Sequence, residues 1–170
     1  EVSVRGNPAM IPVEHPLAAV RGVFNAVFIE GDAVGQVMLY GPGAGGMPTA
    51  SAVLGDLIDA AKNLASGQGA TIGRMSDRRI RPLDEMESQF YLLVEVMDQP
   101  GVLAAIASVF GANGVSIKSM RQQGIGDEAR LIFVTHQALE RDFEATIKGV
   151  RELDAVHRVG SILRVVGEEA

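Results

Sequence analysis

The sequence predicts an α+β protein built from two regions. Before residue 65, apolar residues follow a strand, strand, helix order, and after residue 90 they follow a strand, helix, strand, strand, helix, strand order. Between these regions, glycine, charged residues and turn formers replace the apolar periodicity. We therefore expect a first region over 1–65, a linker over 66–89 and a second region over 90–167.

In the first region, the pattern predicts an antiparallel hairpin followed by a helix. Val23–Ile29 and Val34–Tyr40 are rich in valine and aromatic residues, and turn formers at 30–32 separate them. After a glycine-rich stretch, apolar residues recur at helical spacing from Thr49 to Leu64. The hydroxyl of Thr49 or Ser51 is expected to cap this helix.

The second region has the βαββαβ order of a ferredoxin-like fold. Its strands are predicted at Phe90–Met97, Val115–Gln123, Ala129–Thr135 and Val156–Val166, with a loop over Gly124–Glu128. The first helix begins after Gly101 and ends at Asn113-Gly114, and the second carries an apolar stripe of Leu139, Phe143, Ile147 and Val150. Both helices should cover one face of a four-stranded antiparallel sheet. Because the other face and the sheet edges stay bare, we expect a homo-oligomer, at least a dimer, through this region.

Composition narrows the possible partners and the compartment. The net charge of -6 and the absence of a long Lys/Arg run argue against nucleic acid as a partner. No apolar run approaches the ~20 residues that span a bilayer, which argues against a membrane protein. The lack of cysteine fits the reducing cytoplasm. The chain also starts at Glu1 without a methionine, so we expect a piece of a longer protein.

The junction Asp98-Gln99-Pro100-Gly101 is the first candidate for a binding site. Gly101 allows close approach to the backbone, the first helical N–H groups are unpaired, and Asp98 supplies an acceptor beside them. Such a corner suits the carboxylate and ammonium of a free amino acid. The alternative is that Asp98 only caps the helix. The three histidines have no metal-ligand spacing, so no metal site is predicted, and His15 before Pro16 favours a structural role.

This junction, together with Asn113-Gly114-Val115-Ser116-Ile117 after the first helix, resembles the ACT domain family. In that family the effector amino acid lies between the first loop of one subunit and the neighbouring subunit's strand after the first helix. The resemblance implies an effector site formed by Asp98, Gln99, Gly101, Val102, Asn113 and Ile117. For Asn113, an ordinary helix-terminating role is an equal alternative.

The second candidate is the glycine-rich loop Gly41-Pro42-Gly43-Ala44-Gly45-Gly46, which precedes a helix N-terminus. On its own, a flexible turn would be the default interpretation of this loop, because it lacks a Walker lysine and the G-x-G-x-x-G spacing of a dinucleotide-binding site. With His15-Pro16-Leu17-Ala18, Phe24-Asn25-Ala26-Val27-Phe28 and Pro48-Thr49-Ala50-Ser51-Ala52-Val53, it resembles the end of the catalytic region of homoserine dehydrogenases. That resemblance implies that Gly43, Ala44 and Gly45 contribute main chain to the nicotinamide end of an NAD(P) site.

The two resemblances together imply a function. The parent would interconvert L-homoserine and L-aspartate 4-semialdehyde with NAD(P), and the ACT domain would sense an amino acid, with L-threonine expected. The family's glycine fingerprint and catalytic lysines are expected upstream, so no catalytic residue is assigned here and the chain alone should be inactive. The alternative is a non-catalytic amino-acid-binding regulatory and dimerisation module. An aspartate kinase is a more remote alternative, because its paired ACT repeats are not seen.

Overall fold

The computed structural model describes residues 1–67, 69, 75–125 and 128–166. By contacts, the chain divides into two compact units. The hairpin unit is Val13–Asp77, and the sheet unit is Glu1–Pro12 together with the chain from Arg78 onward. The first twelve residues therefore group with the C-terminal unit, and not with the rest of the predicted first region.

The described residues form strands β1 to β8 and helices α1 to α3, in chain order. Their bounds are β1 (Ala9–Met10), β2 (Phe24–Gly31), β3 (Gly35–Pro42), α1 (Gly46–Ser66), β4 (Glu87–Met97), α2 (Val102–Ala112), β5 (Ile117–Ile125), β6 (Glu128–Thr135), β7 (Ala138–Leu139), α3 (Glu140–Arg151) and β8 (Val156–Val165). Short 3-10 turns lie at Pro16–Ala19 and Leu83–Glu85. The predicted α+β fold class is confirmed.

The sheet of the sheet unit has the strand order β1-β8-β4-β6-β5, and β7 pairs with the start of β4. The pairs β8–β4, β4–β6 and β6–β5 are antiparallel, which gives the predicted ferredoxin-like arrangement. Strand β1 extends this sheet because Ala9 and Met10 pair in parallel with Arg164 and Val165. A two-residue strand carries no periodicity, so the sequence pattern could not indicate it.

The core lies between this sheet and helices α2 and α3. Alternate β4 residues are at most 1% exposed, as predicted for one strand face: Phe90, Leu92, Val94 and Val96. Helix α2 buries Val102, Ile106 and Phe110, and α3 buries Phe143, Ile147 and Val150. The rings of Phe90 and Phe143 stack with centroids 3.8 Å apart, which seats α3 on the sheet.

The two helices approach each other most closely at Gly149. A Cβ at this position would lie 2.8 Å from Cγ1 of Val109 on α2. We expect Gly149→Ala to lower the free energy of unfolding by about 1–3 kcal/mol through overpacking. Gly111→Ala on α2 is the matched control, because a Cβ there meets nothing within 4 Å. Alanine should add helix propensity there, by up to about 1 kcal/mol. Equal effects of the two substitutions in urea denaturation would contradict the close contact.

The linker and the predicted element ends differ in part from the structure. Strand β4 begins at Glu87, so the last linker residues belong to the sheet. Val2 and Ile80 form a parallel bridge, and Arg81 donates to a carboxylate oxygen of Glu1 at 2.8 Å. That hydrogen bond holds the pKa of Glu1 below its usual value. Helix α1 ends at Ser66 with Gly67 as its C-cap at a φ of 65°, where the Gly67-Gln68-Gly69 segment predicts a helix stop. Residues 68 and 70–74 of the predicted linker, the loop residues Gly126 and Asp127, and Gly167 lie outside the described residues.

In the hairpin unit, β2 and β3 pair antiparallel from Phe24↔Pro42 to Gly31↔Gly35, as predicted. Helix α1 starts three residues before Thr49, and its N-cap is Gly45 with no side-chain hydrogen bond. The expected hydroxyl cap is therefore wrong. No residue of α1 is buried, and its apolar side chains Val53, Leu54, Leu57 and Ile58 are 45–61% exposed. A two-stranded hairpin and one helix offer too little surface to enclose a core.

Candidate functional site

The glycine-rich loop lies between β3 and the start of α1. The backbone N–H of Gly43 donates to the carbonyl of Val23 at 2.7 Å, which ties the loop to the start of β2. Gly45 has a φ of 130°, a conformation that L side chains rarely adopt, and it is the N-cap of the 21-residue helix α1. The loop therefore presents main chain, with only the small side chains of Pro42 and Ala44, at the positive end of a long helix.

The side-chain amide of Asn25 on β2 lies directly beside Gly43. A Cβ on Gly43 would lie 2.8 Å from Oδ1 of Asn25 and closer still to the other amide atoms. A cavity of about 300 Å³ opens here, lined by Asn25, Ala26, Val27, Leu39, Tyr40, Gly41, Pro42 and Gly43. The rings of Phe24 and Tyr40 stack nearby with centroids 4.8 Å apart. Of the predicted cofactor residues, Gly43 lines this cavity, and Ala44 and Gly45 follow it directly.

His15 has the structural role that its place before Pro16 favours. Its Nδ1 accepts a hydrogen bond from the backbone N–H of Leu17 at 3.1 Å and caps the following 3-10 turn. Its ring meets the edge of Phe28, with centroids 4.7 Å apart. Nδ1 is therefore occupied by a backbone hydrogen bond, and the ring packs against Phe28 on β2.

The second candidate site is the corner where β4 ends and α2 begins. It encloses a cavity of about 210 Å³. Its lining includes four predicted effector residues, Asp98, Gln99, Gly101 and Val102, together with Val96, Met97, Pro100, Leu103, Gln122 and Leu131. Gly101 has a φ of 91° and is the N-cap of α2, and no side chain bonds to that cap. The first N–H groups of the helix are therefore not occupied by a capping side chain.

Asp98 does not cap the helix. Its Oδ1 accepts a hydrogen bond from Nε2 of Gln122 on β5 at 3.1 Å. A Cβ on Gly124 would lie 3.2 Å from the other carboxylate oxygen of Asp98, so β5 passes close to that side chain. The capping interpretation of Asp98 is therefore wrong, and the carboxylate is oriented across the corner by the neighbouring strand.

The other two predicted effector residues do not line this cavity. Asn113 is the C-cap of α2, and its Nδ2 donates to the carbonyl of Val109 at 2.8 Å. Helix α2 has 11 residues, so Asn113 lies at its far end, roughly 16 Å from the corner. Ile117 packs against the core. Gln122, which sequence reasoning missed, takes part in the corner in their place.

The sheet face opposite the helices carries a cluster of charges around Glu95. Nε of Arg158 donates to Glu95 at 3.0 Å, and Arg130 lies 3.4 Å from the same carboxylate. The hydrogen bond from Arg158 is the largest of the interactions that hold the pKa of Glu95 below its usual value. This face therefore carries paired charges on three neighbouring strands, β4, β6 and β8.

This lowered pKa predicts a pH dependence. Because the folded-state pKa of Glu95 is depressed, its stabilising contribution is complete above the carboxyl pKa of the unfolded chain, about 4.3. It is lost as the pH falls through the lower folded-state value. We expect Glu95→Gln to reduce the loss of stability between about pH 5 and pH 3, measured as urea midpoints. Unchanged acid dependence in the variant would count against the cluster.

Metal-binding and membrane-spanning features are both absent from the part of the chain that the structure describes. No group of three or more His, Cys, Asp or Glu side chains converges there as a metal site would. Among the described helices, none has both the length and the apolar character that crossing a membrane requires.

Comparison with known proteins assigns both regions. The homoserine dehydrogenase family model matches residues 1–58, and the ACT domain model matches residues 90–155. The homoserine dehydrogenase of Mycobacterium tuberculosis is 43% identical over 98% of this chain, and that of Corynebacterium glutamicum is 42% identical over 96%. A solved homoserine dehydrogenase from Thiobacillus denitrificans matches 96% of the chain at 33% identity with a TM-score of 0.84.

The match is partial on the side of these proteins. The chain spans 39% of the Mycobacterium tuberculosis relative and 38% of the Thiobacillus denitrificans structure. The matched part of the relatives is their C-terminal part. Because the two family models match residues 1–58 and 90–155, both candidate sites fall inside the match. The chain belongs to the homoserine dehydrogenase family and corresponds to its C-terminal region with a regulatory ACT domain.

Proposed function

We propose that the parent protein interconverts L-homoserine and L-aspartate 4-semialdehyde by hydride transfer to or from NAD(P) in the cytoplasm. The observation that carries this proposal is the match to homoserine dehydrogenases over 98% of the chain. The cofactor supplies the hydride chemistry, and the groups that move the proton belong to the portion of the relatives that this chain does not match. This chain contributes one wall of the cofactor site.

The glycine-rich loop fits that role on physical grounds. Gly43, Ala44 and Gly45 offer little side chain, so a nicotinamide or phosphate group can approach the backbone closely. The loop precedes the N-terminus of α1, which favours an anionic group. The cavity beside Asn25 and Tyr40 gives the ring of a cofactor a place to lie. The exposed apolar face of α1 is suited to packing against the remainder of the catalytic region.

An activity assay tests whether the catalytic groups lie outside this chain. We expect no homoserine-dependent NADPH formation by the 170-residue chain alone, and clear formation by the full-length parent protein. NADPH formation by the isolated chain would show that it contains the catalytic groups, which would overturn the proposal. A parent protein without homoserine-dependent activity would reject the dehydrogenase assignment.

For the ACT domain we propose an amino-acid effector, L-threonine, bound at the corner. The N–H groups at the start of α2, which no side chain caps, would hold its carboxylate, and Asp98 would accept from its ammonium. Gln99, Gly101 and Val102 would line the site, and Gln122 would orient Asp98. Asn113 and Ile117 would reach a corner only from a neighbouring subunit, so their part in this site requires an oligomer.

We propose that the oligomer is at least a homodimer formed through the sheet unit. Among the described strands, β5 ends the sheet and pairs only with β6, so its outer N–H and C=O groups are available to a second strand. Sedimentation of the chain at several concentrations should give a dimer. A monomer at all concentrations, with or without L-threonine, would remove Asn113 and Ile117 from the proposed site.

A further inference from the structure

The sheet unit has a second cavity, separate from the corner at Asp98. It has a volume of about 320 Å³ and lies between α3 and the strands β4 and β8. Its lining shares no residue with that of the corner: Phe90, Glu140, Phe143, Glu144, Ile147, Lys148, Arg151, Ile162 and Arg164. A ligand here would therefore occupy a site distinct from the proposed effector site.

The floor of this cavity consists of apolar side chains that are buried in the core. Phe90 and Phe143 are 1% and 3% exposed and stack on each other, and Ile147 beside them is 6% exposed. Ile162 on β8 is 38% exposed, so an apolar surface remains open to an occupant. Ligand cavities typically combine such a floor with a few well-placed polar groups, and their volumes start at about 300 Å³. This volume suits a molecule of amino-acid size.

The rim of this cavity is positively charged. Helix α3 places Glu144, Lys148 and Arg151 on one face, at spacings of four and three residues. Within the described residues, no carboxylate lies at ion-pair distance from Lys148 or Arg151, whereas Arg164 across the cavity is bound by Glu140. Among the described residues, these two cations of the rim therefore have no ion-pair partner, and they lie beside an apolar floor.

We propose that this cavity binds a small carboxylate with an apolar body. Lys148 and Arg151 bind the carboxylate, and the apolar body lies over Ile147 and Ile162. The carboxylate can belong to an apolar amino acid, whose ammonium then meets Glu144, or to the corresponding acid without an amine. The cavity gives the sheet unit a second small-molecule site beyond the proposed effector corner.

Calorimetric titration of the 170-residue chain tests the proposal with matched probes. The probes are L-leucine, 4-methyl-2-oxopentanoate, leucinamide and inorganic phosphate. We expect saturable binding of at least one of the two carboxylates and none of leucinamide, which lacks the carboxylate. Binding of leucine alone identifies the amino acid as the source, and binding of the oxo acid alone identifies the amine-free acid. Failure of both carboxylates, or equally tight binding of phosphate, overturns the proposal.

Substitutions inside and outside the cavity test whether the carboxylate binds there. Lys148 and Arg151 are exposed, so K148A/R151A should fold normally and weaken carboxylate binding by about tenfold or more, as expected for lost charge-assisted hydrogen bonds. Arg141→Ala removes a positive charge from the first turn of the same helix, away from the cavity, and should bind as the unmodified chain does. Asp98→Ala should also leave this binding unchanged. Unaltered affinity in K148A/R151A would overturn the proposal.

Discussion

Replacing Glu140 with alanine should strongly destabilise the sheet unit. Glu140 is 4% exposed at the first residue of α3. Arg164 donates to both of its carboxylate oxygens, at 2.6 and 2.8 Å, and Arg5 donates to one of them at 2.8 Å. The hydrogen bond to Glu140 is the main reason that the pKa of Arg164 is raised. Removing the shared carboxylate leaves two guanidinium groups facing each other with little solvent.

We expect Glu140→Ala to lower the free energy of unfolding by about 3–5 kcal/mol, the usual cost of removing one partner from a buried ion pair. Glu144→Ala is the matched control, one turn further along α3 and exposed, and it should change stability by no more than about 0.5 kcal/mol. Urea denaturation measures both. A loss for Glu140→Ala as small as that of the control would mean that the triad with Arg5 and Arg164 contributes little.

The second large effect is expected for Gly43→Ala in the full-length parent protein. The new methyl group would overlap the amide of Asn25, so the loop or Asn25 must shift. A displacement of about 1 Å in a cofactor loop can cost about a hundredfold in turnover efficiency. We therefore expect kcat/KM for NAD(P) to fall by about that factor.

Two variants separate this steric effect from a general loss of function. Gly46→Ala lies at the other end of the same loop, where a Cβ meets nothing within 4 Å, and it should retain near-normal kcat/KM. Adding Asn25→Ala to Gly43→Ala removes the amide that the methyl group overlaps and should restore part of the lost efficiency. If the double variant is no better than Gly43→Ala, contact with Asn25 is not the cause.

Features governed by local periodicity could be predicted from the sequence. The alternation Phe90, Leu92, Val94, Val96 indicated a strand with one buried face, and Gly101 and Asn113 marked both ends of α2. These patterns depend only on neighbouring residues. The βαββαβ order followed from them, and with it the location of the corner at Asp98.

Features that depend on distant partners could not be predicted. Gln122 reaches Asp98 because β5 has an irregularity between Ile117 and Ser119, which changes the face on which the following residues lie. The burial of Glu140 depends on Arg5, 135 residues earlier in the chain. A charged first residue of a helix normally indicates an exposed helix start, so no local pattern distinguishes this carboxylate.

The most direct test of an amino-acid effector site is calorimetric titration of L-threonine into the 170-residue chain and into its Asp98→Ala variant. We expect saturable heat with the unmodified chain and its loss in the variant, because Asp98 is the acceptor proposed for the ligand's ammonium. Glu128→Ala serves as a control for the lost charge, since Glu128 does not line the corner. Absence of heat with L-threonine, or equal heat in the Asp98→Ala variant, would contradict an effector site at this corner.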